Sequence, residues 1–288
     1  MCGTSPESYG GAVPHEINAD LPAVRAAVVR QRRLVTPGIE NMPEYHARQV
    51  HDESHREVIG PLLPATGASG VVLLGGRLIA DWGTPAVPEM AYSATKSVVS
   101  TVAGVASGLG LLPDVDVPVA ACVDLPVSTP GITWKHLLQQ TSQWPGSLWS
   151  KPASVDAQSR GADHSEPGSA WAYNDVRVNL LCLALTALLG RPLPAVLREH
   201  VLGPVGASDT WRWHGYSNSL LTIDGRQVPV VSGGAHWGGG LVISAHDLAL
   251  PAGARGAIWV GTCCGSTRRA AWSSPRTGAL TSAPSWPN

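Results

Sequence analysis

The chain has 288 residues, of which 44% are hydrophobic and 14% are charged, a composition that excludes general disorder and allows one large domain or two intertwined subdomains. Its 20 basic and 21 acidic residues leave a net charge of −1, so it carries no electrostatic signature of binding to nucleic acid or to an anionic membrane. No apolar run is long enough to span a bilayer. The five cysteines are scattered and form no C-x-x-C pair, so we predict neither a disulfide framework nor a metal site. The N-terminus lacks a basic region followed by an apolar stretch, so we expect a cytoplasmic protein.

The first 60 residues are expected to form an N-terminal segment that is only partly helical. Residues 1–20 are rich in Gly, Pro and Ser and show little periodicity. Residues 21–35 predict a helix with arginines on one face. The polar stretch 36–60 predicts loop with a short helix.

Residues 61–250 carry the clearest patterns of regular structure, and we expect them to form the main domain. Two apolar runs flank Gly75-Gly76, and because this dipeptide tolerates the positive φ of a tight turn, residues 70–83 predict a β-hairpin. A stretch of small and apolar residues from Ser93 to Gly110 predicts a buried helix that the glycine ends.

Capping residues predict two helices in the middle of the chain. Thr133 is a suitable N-cap for a helix that runs through Gln143. Asp175 can cap a second helix over residues 176–189, and Gly190 is placed to end it.

The last part of the main domain predicts two helices and one hairpin. Residues 193–202 predict a short helix, and the Asp-Gly turn at 224–225 predicts a small hairpin over residues 220–231. Ser244 with Asp247 three residues later resembles a capping box at the start of another helix. The fold class we predict is α+β.

The chain changes character at about residue 251. Residues 251–288 are rich in Arg, Ser and Pro and show neither strand nor helix periodicity. We therefore expect an irregular tail there.

Ser93 and Lys96 form the first pattern that can carry chemistry. On a helix, positions i and i+3 share a face, so the two side chains would be neighbours. A serine hydroxyl is a weak nucleophile that needs a base, and a lysine whose pKa is lowered by burial can serve. The alternative is a capping serine beside a lysine that reaches solvent.

Tyr173-Asn174-Asp175 forms a second pattern, about 80 residues further on. Tyr173 can relay a proton if a nearby lysine stabilises its phenolate. The alternative is a core tyrosine followed by two helix-capping residues, and both interpretations can hold together.

Residues 233–240 form a glycine-rich segment. So much glycine lets the backbone approach a ligand or turn tightly, but the pattern of a phosphate-binding loop is absent. Several tryptophans can line an apolar acyl pocket, although packing in the core is the alternative for each of them: Trp144, Trp149, Trp211, Trp213 and Trp237.

Four motifs in this order resemble the serine β-lactamase/penicillin-binding-protein superfamily, and above all its class C-like branch of esterases, amidases and β-lactamase-related hydrolases. Within this branch, 6-aminohexanoate-dimer hydrolases and generic esterases are equally compatible relatives. The resemblance extends from about residue 70 to residue 250. The motifs are Ser93-Ala94-Thr95-Lys96, the stretch ITWKHLLQQTS at 132–142, Tyr173-Asn174-Asp175, and the stretch GGLVISAHDL at 239–248.

The resemblance implies a helical subdomain beside an antiparallel sheet and an acyl-enzyme mechanism without a cofactor. It makes Ser93 the nucleophile, Lys96 and Tyr173 the proton-transfer pair, and the backbone N–H of Ser93 one oxyanion donor. The implied partner is a small ester or amide. The competing hypothesis is a catalytically dead or weakened homologue that acts at most as a binding module.

The chain departs from the family pattern at several places. The family's Tyr-x-Asn has Asp175 in its third position, and we expect this anion, together with Trp237, to influence which substrates bind. The usual His-Thr-Ser-Gly is replaced by Gln-Thr-Ser-Gln at 140–143, which we expect to affect packing. Residues 251–288 do not resemble the family's C-terminal strands, so we expect a truncated or frameshifted end and an incomplete sheet.

Overall fold

A computed structural model of the chain describes residues 20–34, 42–50, 52–64, 67–155, 166–234, 237–253 and 260–262. The regular elements in these ranges are helices and strands that follow one another in short runs. In chain order up to residue 155 they are α1 (Leu21–Gln31), α2 (Met42–Gln49), β1 (Gly70–Leu74), β2 (Arg77–Trp82), β3 (Glu89–Met90), α3 (Thr95–Gly108), α4 (Val119–Cys122), α5 (Trp134–Leu138), β4 (Ser147–Leu148) and β5 (Lys151–Pro152). Beyond residue 166 they are α6 (Asp175–Leu189), α7 (Leu193–Leu197), a π-helical turn (Arg198–Leu202), β6 (Arg212–Ile223), β7 (Arg226–Val231), β8 (Gly240–Ile243), α8 (Ala245–Gly253) and β9 (Val260–Thr262).

The strands form small antiparallel sheets. One sheet has the order β2-β1-β9, a second has the order β3-β8-β6-β7, and β4 pairs with β5. Both predicted hairpins are present. Gly75 and Gly76 have φ of 56° and 78°, and Asp224 and Gly225 have φ of 49° and 75°, which are the positive values that tight two-residue turns require.

Helix α6 is the centre of the hydrophobic core. Its first twelve residues are buried, and it packs against α3, α5, α7 and the β6–β7 hairpin. Gly190 ends it in the left-handed conformation at φ 67°, as predicted. Since α3 and α6 pack against each other, the start of each helix is held at a fixed position relative to the other.

No single helix in the described ranges is long and apolar enough to cross a membrane. Helix α6 passes that test only together with Leu193–Leu202, and the two parts are bent by 73°.

Several helix boundaries differ from the predictions. Helix α1 ends at Gln31 and not at residue 35, and α3 runs from Thr95 to Gly108 and not from Ser93 to Gly110. The helix that Thr133 caps ends at Leu138 and not at Gln143, because Gln140 and Gln143 adopt φ of 57° and 50°, which no right-handed helix allows. The N-cap of α6 is Asn174 and not Asp175, since the Asn174 side chain accepts the hydrogen bond from Arg177 N at 2.9 Å.

The expectation of an irregular tail from residue 251 needs correction at two places. Helix α8 continues through residue 253, and β9 pairs with β1 from Gly70↔Thr262 to Val72↔Val260. A three-residue strand is too short to show a periodicity in sequence, and its position depends on the free edge that β1 offers. The other residues beyond 253 lie outside the described ranges.

Candidate active site

Ser93 lies in a 3-10 turn, Tyr92–Ala94, that leads directly into α3. Tyr92 has a positive φ of 44°, which turns the chain abruptly before the serine. Strand β8 holds the turn on both sides, because Ala91 N donates to Leu241 O at 2.8 Å and Leu241 N donates to Thr95 Oγ1 at 3.1 Å. The Ser93 side chain is left exposed, where a substrate can reach it.

The glycine-rich segment packs against this turn. A Cβ atom at Gly234 would lie 2.0 Å from Tyr92 O, and one at Gly240 would lie 2.8 Å from Gly234 Cα. One at Gly233 would lie 2.4 Å from Val178 Cγ1 on α6. Two uses were predicted for these glycines, approach to a ligand and tight turning. Gly234 and Gly238–Gly240 have positive φ between 75° and 89°, and Gly233 and Gly234 also let the segment pack against α6 and the Tyr92–Ala94 turn.

The side chains of Ser93, Lys96 and Tyr173 come together at the start of α3. Ser93 Oγ lies 2.6 Å from Tyr173 Oη, and Lys96 Nζ lies 3.4 Å from Ser93 Oγ. Lys96 Nζ also lies 4.8 Å from the centre of the Tyr173 ring and 3.5 Å from Gly234 O. A hydroxyl, a phenol and an amine within hydrogen-bond reach are what a proton-transfer site requires.

Asp175 faces the lysine of this cluster. Its Oδ1 lies 2.7 Å from Lys96 Nζ, and the two side chains are only 6% and 13% exposed. Burial lowers the pKa of Lys96, but the charge of Asp175 and the neighbouring Tyr173 outweigh burial and raise that pKa above its usual range. Lys96 is therefore an ammonium at neutral pH.

Tyr173 is a neutral phenol at neutral pH. Burial raises its pKa, and the charge of Asp175 adds to this effect, while Lys96 and the hydrogen bond to Ser93 oppose it. In the resting site, Lys96 therefore donates to Ser93 Oγ, and the Ser93 hydroxyl hydrogen is free to point at Tyr173 Oη.

The stretch that follows α5 fixes the position of the Tyr173 segment. Asn174 N donates to Gln140 Oε1 at 3.0 Å, and Ala172 N donates to Gln140 O at 3.1 Å. Gln143 Nε2 donates to Ala170 O at 2.5 Å. The two glutamines thus hold the backbone on either side of Tyr173, and neither belongs to the cluster that Tyr173 forms with Ser93 and Lys96.

Trp237 does not meet the expectation that it contacts substrate, because it is only 1% exposed. Its Nε1 donates to His55 O at 2.8 Å, and Lys151 Nζ donates to the same oxygen at 3.1 Å. The indole therefore helps to hold the 52–64 stretch against the domain. Trp144, Trp211 and Trp213 are buried as well, and Trp211 and Trp213 also line a cleft that lies apart from Ser93.

Trp171 is a candidate site residue that the sequence reasoning missed. It is 63% exposed, while Ala172 and Asn174 are buried and Tyr173 is half-buried. This alternation indicates that Trp171 and Tyr173 lie on the same open side of the segment. The sequence indicates this residue through its position two before Tyr173, because alternate residues of an extended segment share one side.

A cleft of about 660 Å³ between α7 and the start of β6 lies apart from this cluster. Its lining includes Arg191, Trp211 and His214 but neither Ser93, Lys96 nor Tyr173. Arg191 pairs with Glu199 at 2.9 Å, so the positive charge of Arg191 is partly neutralised within the cleft. Because none of the three clustered side chains lines this cleft, we place the candidate active site at Ser93.

The described residues include no group of three His, Cys, Asp or Glu side chains that is arranged to hold a metal ion.

Several solved structures resemble the chain at low identity. They include a beta-lactamase from Mycobacterium bovis (24% identity, 65% of this chain and 54% of that chain, TM-score 0.44). A second is an octameric penicillin-binding protein homologue from Pyrococcus abyssi (19% identity, 82% of this chain and 56% of that chain, TM-score 0.48). A third is a D-alanine carboxypeptidase from Burkholderia cenocepacia (16% identity, 79% of this chain and 62% of that chain, TM-score 0.45). The chain spans little more than half the length of these proteins. No curated protein matches the sequence.

The sequence model of the Beta-lactamase family matches residues 59–256, which is about two thirds of the chain. The match includes the Tyr92–Ala94 turn, the Tyr173 segment and the glycine-rich segment that packs against the turn. This chain therefore belongs to the beta-lactamase family.

Proposed function

We propose that this chain is a serine hydrolase that cleaves a small ester or amide through an acyl-enzyme intermediate. Ser93 is the nucleophile, and Lys96 and Tyr173 are the proton-transfer pair. The observation that carries the proposal is the 2.6 Å separation of Ser93 Oγ and Tyr173 Oη, with Lys96 Nζ 3.4 Å from the same Oγ.

The proposed reaction has two steps. Ser93 Oγ attacks the carbonyl carbon, and its proton passes to the Lys96–Tyr173 pair once that pair has lost one of its own protons. The Ser93 N–H, at the start of a helix, stabilises the developing oxyanion. The pair then protonates the leaving group, and water releases the acyl group from Ser93 in the second step.

A catalytically weakened homologue that acts as a binding module is the second candidate. It is favoured by the 2.7 Å ion pair of Lys96 with Asp175, because an ammonium cannot accept the serine proton.

Hydrolysis of p-nitrophenyl acetate tests the two candidates. We expect the wild-type chain to release p-nitrophenol above background and Ser93→Ala to lose this activity by roughly 1000-fold or more. Tyr173→Phe and Lys96→Ala should lose most of it. Ser107→Ala, at the other end of α3, removes an exposed hydroxyl and should behave as wild type.

A wild-type rate equal to that of Ser93→Ala at every pH, on folded samples, would refute the hydrolase and favour the binding module.

A further inference from the structure

Lys96 lies closer to Asp175 than to the nucleophile. Its Nζ is 2.7 Å from Asp175 Oδ1 but 3.4 Å from Ser93 Oγ and 3.5 Å from Gly234 O. The Asp175 carboxylate thus accepts the shortest of these three contacts, and Ser93 receives one of the weaker ones.

Burial makes this contact hard to break. Both side chains are largely excluded from solvent, and separating a buried ion pair leaves two charges without compensation. Asp175 is also the first residue of α6, and its backbone position is set by the core. The carboxylate is therefore held rigidly beside the lysine.

The other titratable groups around the pair do not offset the charge of Asp175. Tyr173 is neutral at neutral pH, as shown above. Cys182 on α6 is fully buried, which raises its pKa to about 12, and burial also raises the pKa of Tyr216 on β6 above its usual range. From the loop after β7, Gly234 contributes an uncharged carbonyl.

We propose that Asp175 is a positioning residue that holds Lys96 as an ammonium against its own carboxylate, so that acylation begins only in the molecules that have lost one proton from the Lys96–Tyr173 pair. This inference rests on the proposed hydrolase function and adds a pH dependence to it. It also means that the Asp175 carboxylate acts on Lys96 and not on the substrate.

The proton balance explains why the residue matters. The reactive site contains either a neutral Lys96 with a phenol or an ammonium with a phenolate, and both forms carry the same number of protons. In either form the Ser93 proton moves to the pair while Oγ bonds to the carbonyl carbon. The bond to the leaving group then breaks, and the pair returns the proton to the leaving atom. The negative charge of Asp175 opposes the initial loss of a proton from both Lys96 and Tyr173.

The test is the pH dependence of Ser93 acylation in the wild type and in Asp175→Asn. The rate constant for acylation by p-nitrophenyl acetate is measured from pH 6 to pH 11. This ester is uncharged, so repulsion between Asp175 and a substrate carboxylate cannot contribute. Asparagine has nearly the same shape, and Asn174 caps the helix, so we expect the variant to fold.

We expect the wild-type rate to rise about tenfold per pH unit through neutral pH. Removing the charge should move the profile of Asp175→Asn to lower pH by about 1–3 units. At pH 7 the variant should therefore be at least about tenfold faster. Asp116→Asn is the matched control, because it removes the carboxylate of an exposed Lys–Asp pair, with Lys135 at 3.0 Å, and should leave the profile unchanged.

Each outcome decides between the two proposals. If both proteins acylate with the same midpoint, the role of Asp175 is wrong while the hydrolase function stands. If neither protein acylates at any pH and both match Ser93→Ala, the hydrolase function fails and the inference fails with it. If Asp175→Asn loses its thermal transition, Asp175→Ser, which is also neutral and suits a helix start, provides the same comparison.

Discussion

Replacing Gly234 by alanine should disturb the Tyr92–Ala94 turn that carries Ser93. The new Cβ would lie 2.0 Å from Tyr92 O and 2.8 Å from Thr95 Oγ1, so the loop or the turn must move. The residue has φ of 86°, a left-handed conformation that costs an L-residue about 1–2 kcal/mol. Overlap in a packed interior typically adds about 1–3 kcal/mol.

The free energy of unfolding should therefore fall by roughly 2–5 kcal/mol. For a domain of this size, each kcal/mol lowers the melting temperature by roughly 2–4 °C, so thermal unfolding followed by circular dichroism should show a fall of about 4 °C or more. Because Tyr92 precedes Ser93, acylation should also be slower at temperatures where the variant is folded.

Gly225→Ala separates conformational strain from overlap. Gly225 has a similar φ of 75°, but its Cβ would have no neighbour within 4 Å, so only the left-handed cost of about 1–2 kcal/mol applies. If the two variants lose the same stability and acylate equally fast, Gly234 does not serve the approach of its loop to the Tyr92–Ala94 turn, and our reasoning is refuted.

Three further predictions concern substrate size, helix α3 and the acid stability of the fold. Trp171→Ala should reduce the preference for p-nitrophenyl hexanoate over the acetate by roughly tenfold in kcat/KM, because Trp171 is an exposed apolar side chain two positions before Tyr173. An equal loss with Leu220→Ala, an exposed side chain on β6, would contradict this. Gly104→Ala should raise the free energy of unfolding by up to about 1 kcal/mol in urea titrations, because Gly104 lies within α3 and its Cβ would meet nothing within 4 Å. Burial, assisted by Arg212, lowers the pKa of His214 below its ordinary 6.5, so as the pH falls below about 6.5 the unfolded chain binds a proton first and stability decreases. His214→Gln should flatten that part of the stability profile, and an unchanged slope would exclude His214 as its source.

Local patterns predicted the local structure well. The Gly-Gly and Asp-Gly dipeptides each gave a hairpin, because positive φ at two adjacent positions is a strong local requirement. The spacing of Ser93 and Lys96 predicted neighbouring side chains, and they are neighbours although Ser93 lies in the 3-10 turn just before α3.

Other features depended on contacts that no local pattern contains. Asp175 was expected to influence which substrates bind, and no local pattern predicts the 2.7 Å contact that it makes with Lys96. Trp237 resembled a pocket residue, whereas its indole N–H finds a carbonyl 182 residues away in sequence. Strand β9 exists only because β1 has a free edge to pair with.

The central claim is that Ser93 is an assembled and activated nucleophile, and covalent labelling tests it most directly. The folded chain is treated with a small fluorophosphonate at neutral and alkaline pH, its intact mass is measured, and the modified peptide is identified. We predict a single adduct on Ser93 that forms faster at alkaline pH and is absent from Ser93→Ala. A folded chain that acquires no adduct at any pH, or acquires it equally in Ser93→Ala, would contradict the claim.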